Sequence, residues 1–299
     1  AIKPLVILEA FADCGARSPL YPSRRVLDEP VRLELPSGPW QPENFGRRYH
    51  GTVDLRDSLV ESLNVPLVRV GRWCGFEAVA ERFRRAGLEV PAGPPPALVL
   101  GAVETSALNL ATSFTAFARN GRVVEARSWS RVRRPAGRGL VRRRPDSRRI
   151  VDPASAYMVH DLLRDAVVRG TGRAAALEGF AVWGKTGTSS GGRDAWFVGG
   201  AGRLVTAVWL GVAGGQRGGL RGGADAAPSW GEFMRRAAAA YPAPPPPRPD
   251  AVVERWVEER TGLLVRRARR GARRELYRRG DEPPRRRLLQ ADVAPAPLE

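Results

Sequence analysis

The run Phe180-Ala181-Val182-Trp183-Gly184-Lys185-Thr186-Gly187-Thr188 decides the fold class. It is short, rich in Val and aromatic residues, and closes on the turn Ser189-Ser190-Gly191-Gly192, which are marks of a strand. Two runs of the same character follow, residues 195–200 and 204–212, with glycine-bearing turns between them. Three such runs in succession predict an antiparallel meander. On either side the periodicity becomes helical. Residues 154–168 follow Asp152-Pro153, an aspartate N-cap with proline in the first turn, and residues 229–240 read as a further helix. The expected class is α+β, an antiparallel sheet flanked by helices.

Upstream, residues 105–119 predict a helix whose Leu108, Leu110, Ala111, Phe114 and Phe117 form a buried stripe, ending in a turn at Asn120-Gly121. Residues 122–150 are arginine-rich and strand-poor, expected as an exposed hairpin or loop. A Pro-rich loop at 91–96 is preceded by helical patterns at 77–86, 67–73 and 53–63, the last two separated by a break at Pro66. Residues 18–51 read as an irregular Pro-rich lobe with strand-like pieces such as 31–35. Residues 1–12 are apolar at helical spacing and stop at Asp13-Cys14-Gly15, a helix C-cap. Downstream come a Pro-rich spacer, a strand pair at 252–257 and 263–265 around Thr261-Gly262, and a basic tail. The chain divides into a domain at 1–240, a spacer at 241–249 and a basic, partly disordered extension at 250–299.

A chain of 299 residues with 43% hydrophobic content can bury a real core. No stretch approaches the ~18 apolar residues that span a bilayer, and no leader is visible. The sequence enters at Ala1 inside a helical pattern, so any anchor or export signal is expected upstream. A formal charge of +18 raises the question of nucleic acid. The cations, however, are nearly all arginine, spread through the whole chain, and stretches such as 131–149 and 266–274 read as solvated loops and tails. No specific nucleic acid is expected, while attraction to an anionic lipid or polymer stays open. Cys14 and Cys74 permit one disulfide or two free thiols. His50 and His160 lie at no ligand spacing, which argues against a metal site and against a serine-histidine-acid triad.

Against that arginine bias, Lys3 and Lys185 are the only lysines among 49 cationic residues. Lysine can lose its proton when its surroundings lower its pKa and arginine cannot, so these two positions call for an amine. Three strings then carry chemistry: Lys3 near the head of a helix, Ser62-Leu63-Asn64 at the end of another, and Lys185-Thr186-Gly187-Thr188 at the end of a strand. Each has an ordinary reading, an exposed lysine at Lys3 and Lys185 and helix-end capping at Ser62 and Asn64.

Their order matches the set S-x-x-K, S-x-N and K-T-G of penicillin-binding proteins and the related β-lactamases. The resemblance extends through Ala1-Ile2-Lys3-Pro4, Trp40-Gln41-Pro42-Glu43-Asn44, Ser62-Leu63-Asn64-Val65-Pro66, the helix from Leu100-Gly101 to Asn120-Gly121, Gly170-Thr171-Gly172-Arg173 and Arg193-Asp194-Ala195-Trp196-Phe197-Val198-Gly199. Most of the chain thus resembles the transpeptidase domain of class A penicillin-binding proteins of the 1b type. It departs in one respect: the first motif's serine falls immediately before Ala1, so the chain carries the base without the nucleophile and is expected to form no acyl-enzyme.

The resemblance implies a serine-type D,D-transpeptidase that attacks the D-Ala-D-Ala end of a peptidoglycan stem peptide and passes the acyl group to an amine, with β-lactams as donor mimics. Lys3 would act as base, Ser62 as proton relay, and Asn64 would bind substrate backbone and position Lys3. Lys185 would supply charge, with Thr186 and Thr188 assisting, Gly187 leaving room for substrate, and the Thr188 N–H serving the oxyanion. It further implies an upstream glycosyltransferase domain and anchor, action at the periplasmic face of the inner membrane, and no cofactor. Two rivals stay open: a β-lactamase or D,D-carboxypeptidase on the same fold, and a non-catalytic arginine-rich module that binds glycan, lipid or nucleic acid.

Overall fold

The computed structural model describes residues 1–134, 139–213, 218–285 and 298. The chain begins with α1 (Lys3–Ala12), then β1 (Arg25–Asp28), β2 (Leu33–Leu35), β3 (Gly38–Trp40) and β4 (Gly51–Asp54). Helices α2 (Leu55–Val60), α3 (Val65–Cys74), α4 (Phe76–Arg85) and α5 (Ala107–Ala118) follow. After them come β5 (Arg122–Val124), β6 (Arg131–Arg133), β7 (Gly139–Arg142), β8 (Ser147–Arg149) and α6 (Pro153–Val168). The meander is β9 (Trp183–Thr188), β10 (Asp194–Ala201) and β11 (Leu204–Gly211), closed by α7 (Ala227–Ala240). A C-terminal sheet holds β12 (Val252–Glu258), β13 (Leu264–Val265) and β14 (Ala272–Arg278).

The expected meander is present, antiparallel, in the order β11-β10-β9. Successive side chains on a strand point to opposite faces, and β10 buries both. Val198 faces the core built with α1, α3, α4, α5 and α6, whereas Phe197 packs on Trp230 of α7 with ring centroids 4.9 Å apart. Helices therefore cover the sheet on two sides. Every residue of α1 is buried, Lys3 and Glu9 included, on a helix whose other positions are apolar all round. It forms the axis on which α3, α4 and α6 pack.

Several expectations need correction. The stretch 53–63 is not one helix: Thr52 and Val53 complete β4 against β1, and the helix starts only after Asp54, whose side chain accepts the Asp57 N–H at 2.8 Å. β-branched residues beside a partner strand favour that outcome. Pro66 does not break a helix but sits in the first turn of α3, where its missing N–H costs nothing. On α5, Leu110, Phe114 and Phe117 are buried as expected, but Leu108 is 61% exposed and Ala111 only half-buried. Leu108 stands roughly 200° around the helix from Leu110, on the far face. Residues 122–149, expected to be strand-poor, hold two nested antiparallel pairs, β5 with β8 and β6 with β7, which agrees with the hairpin that was one of the two expectations there. Cys14 and Cys74, left open above, are joined in a disulfide.

The largest difference lies in the extension. Its stretch 266–274, read as a solvated loop or tail, is exposed over 266–271 as expected, but its last three residues open β14, and β14 rather than β13 is the long partner of β12. Glu275 and Tyr277 of β14 are buried against the main body. The final part of the extension expected to be disordered, 286–297 and 299, lies outside the described residues.

Candidate active site

Lys3, in the first turn of α1, is 7% exposed. Its Nζ donates to Asn64 Oδ1 at 2.5 Å, to the Ser62 carbonyl at 2.6 Å and to the Leu63 carbonyl at 3.2 Å, with Ser62 Oγ at 3.4 Å. None of these oxygens carries a formal charge, and among the described residues Lys3 has no carboxylate partner. Burial first, and then the charge of Lys185, hold its pKa well below the ordinary lysine range. The three donated bonds use all three N–H groups of the ammonium, while burial and the neighbouring charge weaken its hold on the proton.

Ser62 follows α2 and adopts the left-handed conformation, φ 60°. For a residue with a Cβ this costs on the order of 1 kcal/mol, and it turns the chain so that the carbonyls of Ser62 and Leu63 both face Lys3. Asn64 is the N-cap of α3 by position, yet its side chain caps nothing and donates instead to the Glu43 carbonyl at 2.6 Å while accepting from Lys3. The capping reading of Asn64 therefore fails on geometry.

Lys185 stands on β9, which pairs only with β10 among the described residues and so presents an open edge. It is fully buried. Its Nζ reaches the Thr186 carbonyl and Thr186 Oγ1 at 3.3 Å and Thr171 Oγ1 at 3.4 Å. Burial lowers its pKa to about 7, a fall opposed in part by Glu61. Thr171 and Thr186 share a hydrogen bond of 2.8 Å. At Gly187 the lack of a side chain is required by space: a Cβ there would come within 2.3 Å of the Ala1 nitrogen. The same residue is covered from its other side by Gly222, whose N–H donates to Thr188 Oγ1 at 3.0 Å. The Thr188 hydroxyl oxygen is thereby engaged inside the protein, while Thr188 itself is exposed at the strand end.

The fold thus places Lys3, Ser62 and Asn64 in one hydrogen-bonded group, and seats Lys185, Thr186 and Gly187 beside it through Ala1. Sequence reasoning missed Thr171 as a member. It follows the end of α6, and its N–H donates to the Val60 carbonyl at 3.3 Å, so the ends of α2 and α6 are tied together at the site. It also missed Asn44, which touches no lysine but holds Asn64. Both lay inside strings quoted above, Gly170-Thr171-Gly172-Arg173 and Trp40-Gln41-Pro42-Glu43-Asn44, so the signal was present without a role attached. Among the described residues no cluster of His, Cys, Asp and Glu is arranged to hold a metal.

Residues 22–234 match the family model for the penicillin binding protein transpeptidase domain. Penicillin-binding protein 1A of Neisseria lactamica is 32% identical over 244 residues, 77% of this chain and 30% of that protein. Penicillin-binding protein 1B of Escherichia coli strain K12 is 34% identical over 192 residues, 62% of this chain and 23% of that protein. Among solved structures, penicillin-binding protein 1A from Haemophilus influenzae has a TM-score of 0.85 at 24% identity, covering 96% of this chain and 48% of that one. PonA1 from Mycobacterium tuberculosis in complex with penicillin V has a TM-score of 0.69 at 22% identity, covering 82% of this chain and 70% of that one. Fold and family model together define the class, a transpeptidase domain of the acyl-transfer kind. The chain belongs to the penicillin-binding protein transpeptidase family, and it spans less than a third of the length of these two curated relatives.

Proposed function

We propose that this chain supplies the acyl-transfer site of a peptidoglycan D,D-transpeptidase. The observation that carries the reading is the pair of buried lysines, held only by neutral oxygens, beside the open edge of β9. A stem peptide would add to that edge as a further strand, its terminal carboxylate met by Lys185 in its charged form and by Thr186. The family resemblance puts the nucleophilic hydroxyl one residue before Ala1, next to Gly187 and on the same helix as Lys3. That hydroxyl attacks the penultimate D-alanine carbonyl as Lys3 takes its proton. The Thr188 N–H serves the oxyanion. Collapse expels the terminal D-alanine, its amine receiving a proton by way of Ser62. An incoming amine then attacks the ester, loses its proton to the site, and releases the hydroxyl.

The remaining expectations belong to the same proposal: an upstream glycosyltransferase domain and membrane anchor, and action on the periplasmic side of the inner membrane. The Cys14–Cys74 disulfide supports an oxidising compartment. No helix among the described residues is long and apolar enough to cross a membrane.

The test extends the chain upstream through a serine and measures covalent labelling by a fluorescent penicillin. Labelling is expected with the serine, and none is expected for the 299-residue chain as it stands. Stable label supports the transpeptidase, rapid release of label supports a hydrolase, and no label in the folded, serine-bearing chain sinks the enzyme reading.

A further inference from the structure

We propose that Asn44 is a positioning residue for Lys3, acting through Asn64, and that Asp28 holds Asn44 in the required orientation. Its value for catalysis rests on the function proposed above, whereas the positioning itself rests on geometry alone.

Asn64 and Val65 open α3, so their N–H groups have no partner inside the helix, and Pro66 has no N–H to offer. An N-cap asparagine would ordinarily turn its own side chain inward to satisfy such donors. Here another asparagine, 20 residues upstream in sequence, does so. Asn44 Oδ1 accepts from the Asn64 N–H at 2.7 Å and from the Val65 N–H at 3.1 Å. Because α3 is capped from outside, the Asn64 side chain is free to face Lys3.

The Asn44 amide cannot sit the other way round. Its Nδ2 donates to Asp28 Oδ1 at 2.6 Å and to the Arg48 carbonyl at 2.9 Å, two groups that only accept. With two donors on its oxygen and two acceptors on its nitrogen, every hydrogen-bonding valence of this 4% exposed side chain is used. Asp28, itself fully buried, is fixed in turn by the His50 N–H and ring, at 3.0 and 2.8 Å. The irregular lobe at 18–51 thereby acts on Lys3 through Asn64, without touching either lysine.

The test uses the chain as it stands, since isotope labelling of the lysine ε-carbon gives two NMR signals that substitution can assign. Lys3 faces Lys185 and the Ala1 amine, and Lys185 faces Glu61, so the Lys185 signal reports any change in their shared charge. Asn44→Ala releases Asn64 to cap α3. It is expected to move the Lys3 titration midpoint by about half a unit or more while leaving that of Lys185 within about 0.2. Asn44→Asp keeps the acceptor for α3 but sets a carboxylate against Asp28, and is expected to act on Lys3 in the same way. Asp28→Asn combined with Asn44→Asp restores a donor–acceptor pair between the two positions but leaves a carboxylate oxygen against the Arg48 carbonyl, and is expected to return the Lys3 signal only part of the way from Asn44→Asp to the parent chain.

An unmoved Lys3 signal in the single variants, equal movement of both lysines, or a double variant no nearer the parent than Asn44→Asp overturns the proposal. Should Asn44→Ala not fold, the comparison of Asn44→Asp with the double variant decides by the same readout. None of these measurements needs a nucleophile, so failure of penicillin labelling and failure of this proposal are separate results.

Discussion

Two buried groups of cations lie at the two ends of α2, and they have opposite electrostatics. At the end of α2, Lys3 and Lys185 meet only hydroxyls, carbonyls and an amide, and both pKa values fall. At its start, Arg56 donates to Glu275 at 2.6 and 2.8 Å, to Asp161 at 2.6 Å and to Asp165 at 3.3 Å, and its pKa rises well above the ordinary arginine value despite burial. Arg273 adds Asp54 at 2.7 Å, beside a charged cleft of about 700 Å³. A buried cation surrounded by carboxylates is charge-matched and ties elements together, here α2, α6 and β14. One surrounded by neutral oxygens keeps a proton it can readily give up. Residue type follows from this: arginine serves the first role and lysine the second.

The largest effect that would break the comparison is chemical. In the serine-bearing chain, Lys3→Arg replaces an amine that can lose its proton with a guanidinium that cannot, and should slow penicillin labelling by about 10³-fold in a chain that still unfolds cooperatively. Labelling within a factor of ten of the parent would mean that Lys3 is not the base.

Next in size is the carboxylate cluster. Glu275→Ala leaves Arg56 short of its buried partner and should cost about 3 kcal/mol, read from the urea unfolding midpoint at neutral pH. A loss below about 1 kcal/mol would show that Asp161 and Asp165 suffice to match the charge.

A further prediction sharpens the contrast by pH. Lys185 titrates near 7 in the folded chain and at an ordinary 10.5 when unfolded. Between those values the unfolded chain binds more protons, so the Lys185 contribution to stability should rise with pH across that window and be flat above it. Glu275 is the reverse case. Its folded pKa lies below the ordinary 4.5, so its contribution is present above that value and is lost as pH falls through the folded pKa. Unfolding curves of Lys185→Met and Glu275→Gln against pH should lose the alkaline rise and the acid fall respectively. If Lys185→Met keeps the alkaline rise, that rise belongs to another group.

How much of this could be read from the chain alone depended on the range of the forces involved. The meander, the capped α6 and the apolar α1 follow from periodicity and local capping, which involve neighbours in sequence. The end of β4 reads as helix in isolation because Val53 owes its conformation to its partner Val26 on β1, 27 residues earlier. Leu108 was counted in the core because it is apolar, although its angle on α5 points it away. The start of β14 reads as part of a basic tail since the partners of Arg273 and Glu275, Asp54 and Arg56, are more than two hundred residues away.

By itself the sequence determined the α+β class, the three motif strings and the two positions that call for an amine, since each of these is written in residue type and short spacing. Only the tertiary structure decided that Asn64 faces Lys3 rather than capping α3, that Thr171 belongs beside Lys185, that Cys14 meets Cys74, and that β14 closes on α2. Those outcomes turn on which distant groups share a buried space. Burial makes an unmatched polar atom costly and so selects one partner among many, a choice that composition and periodicity do not contain.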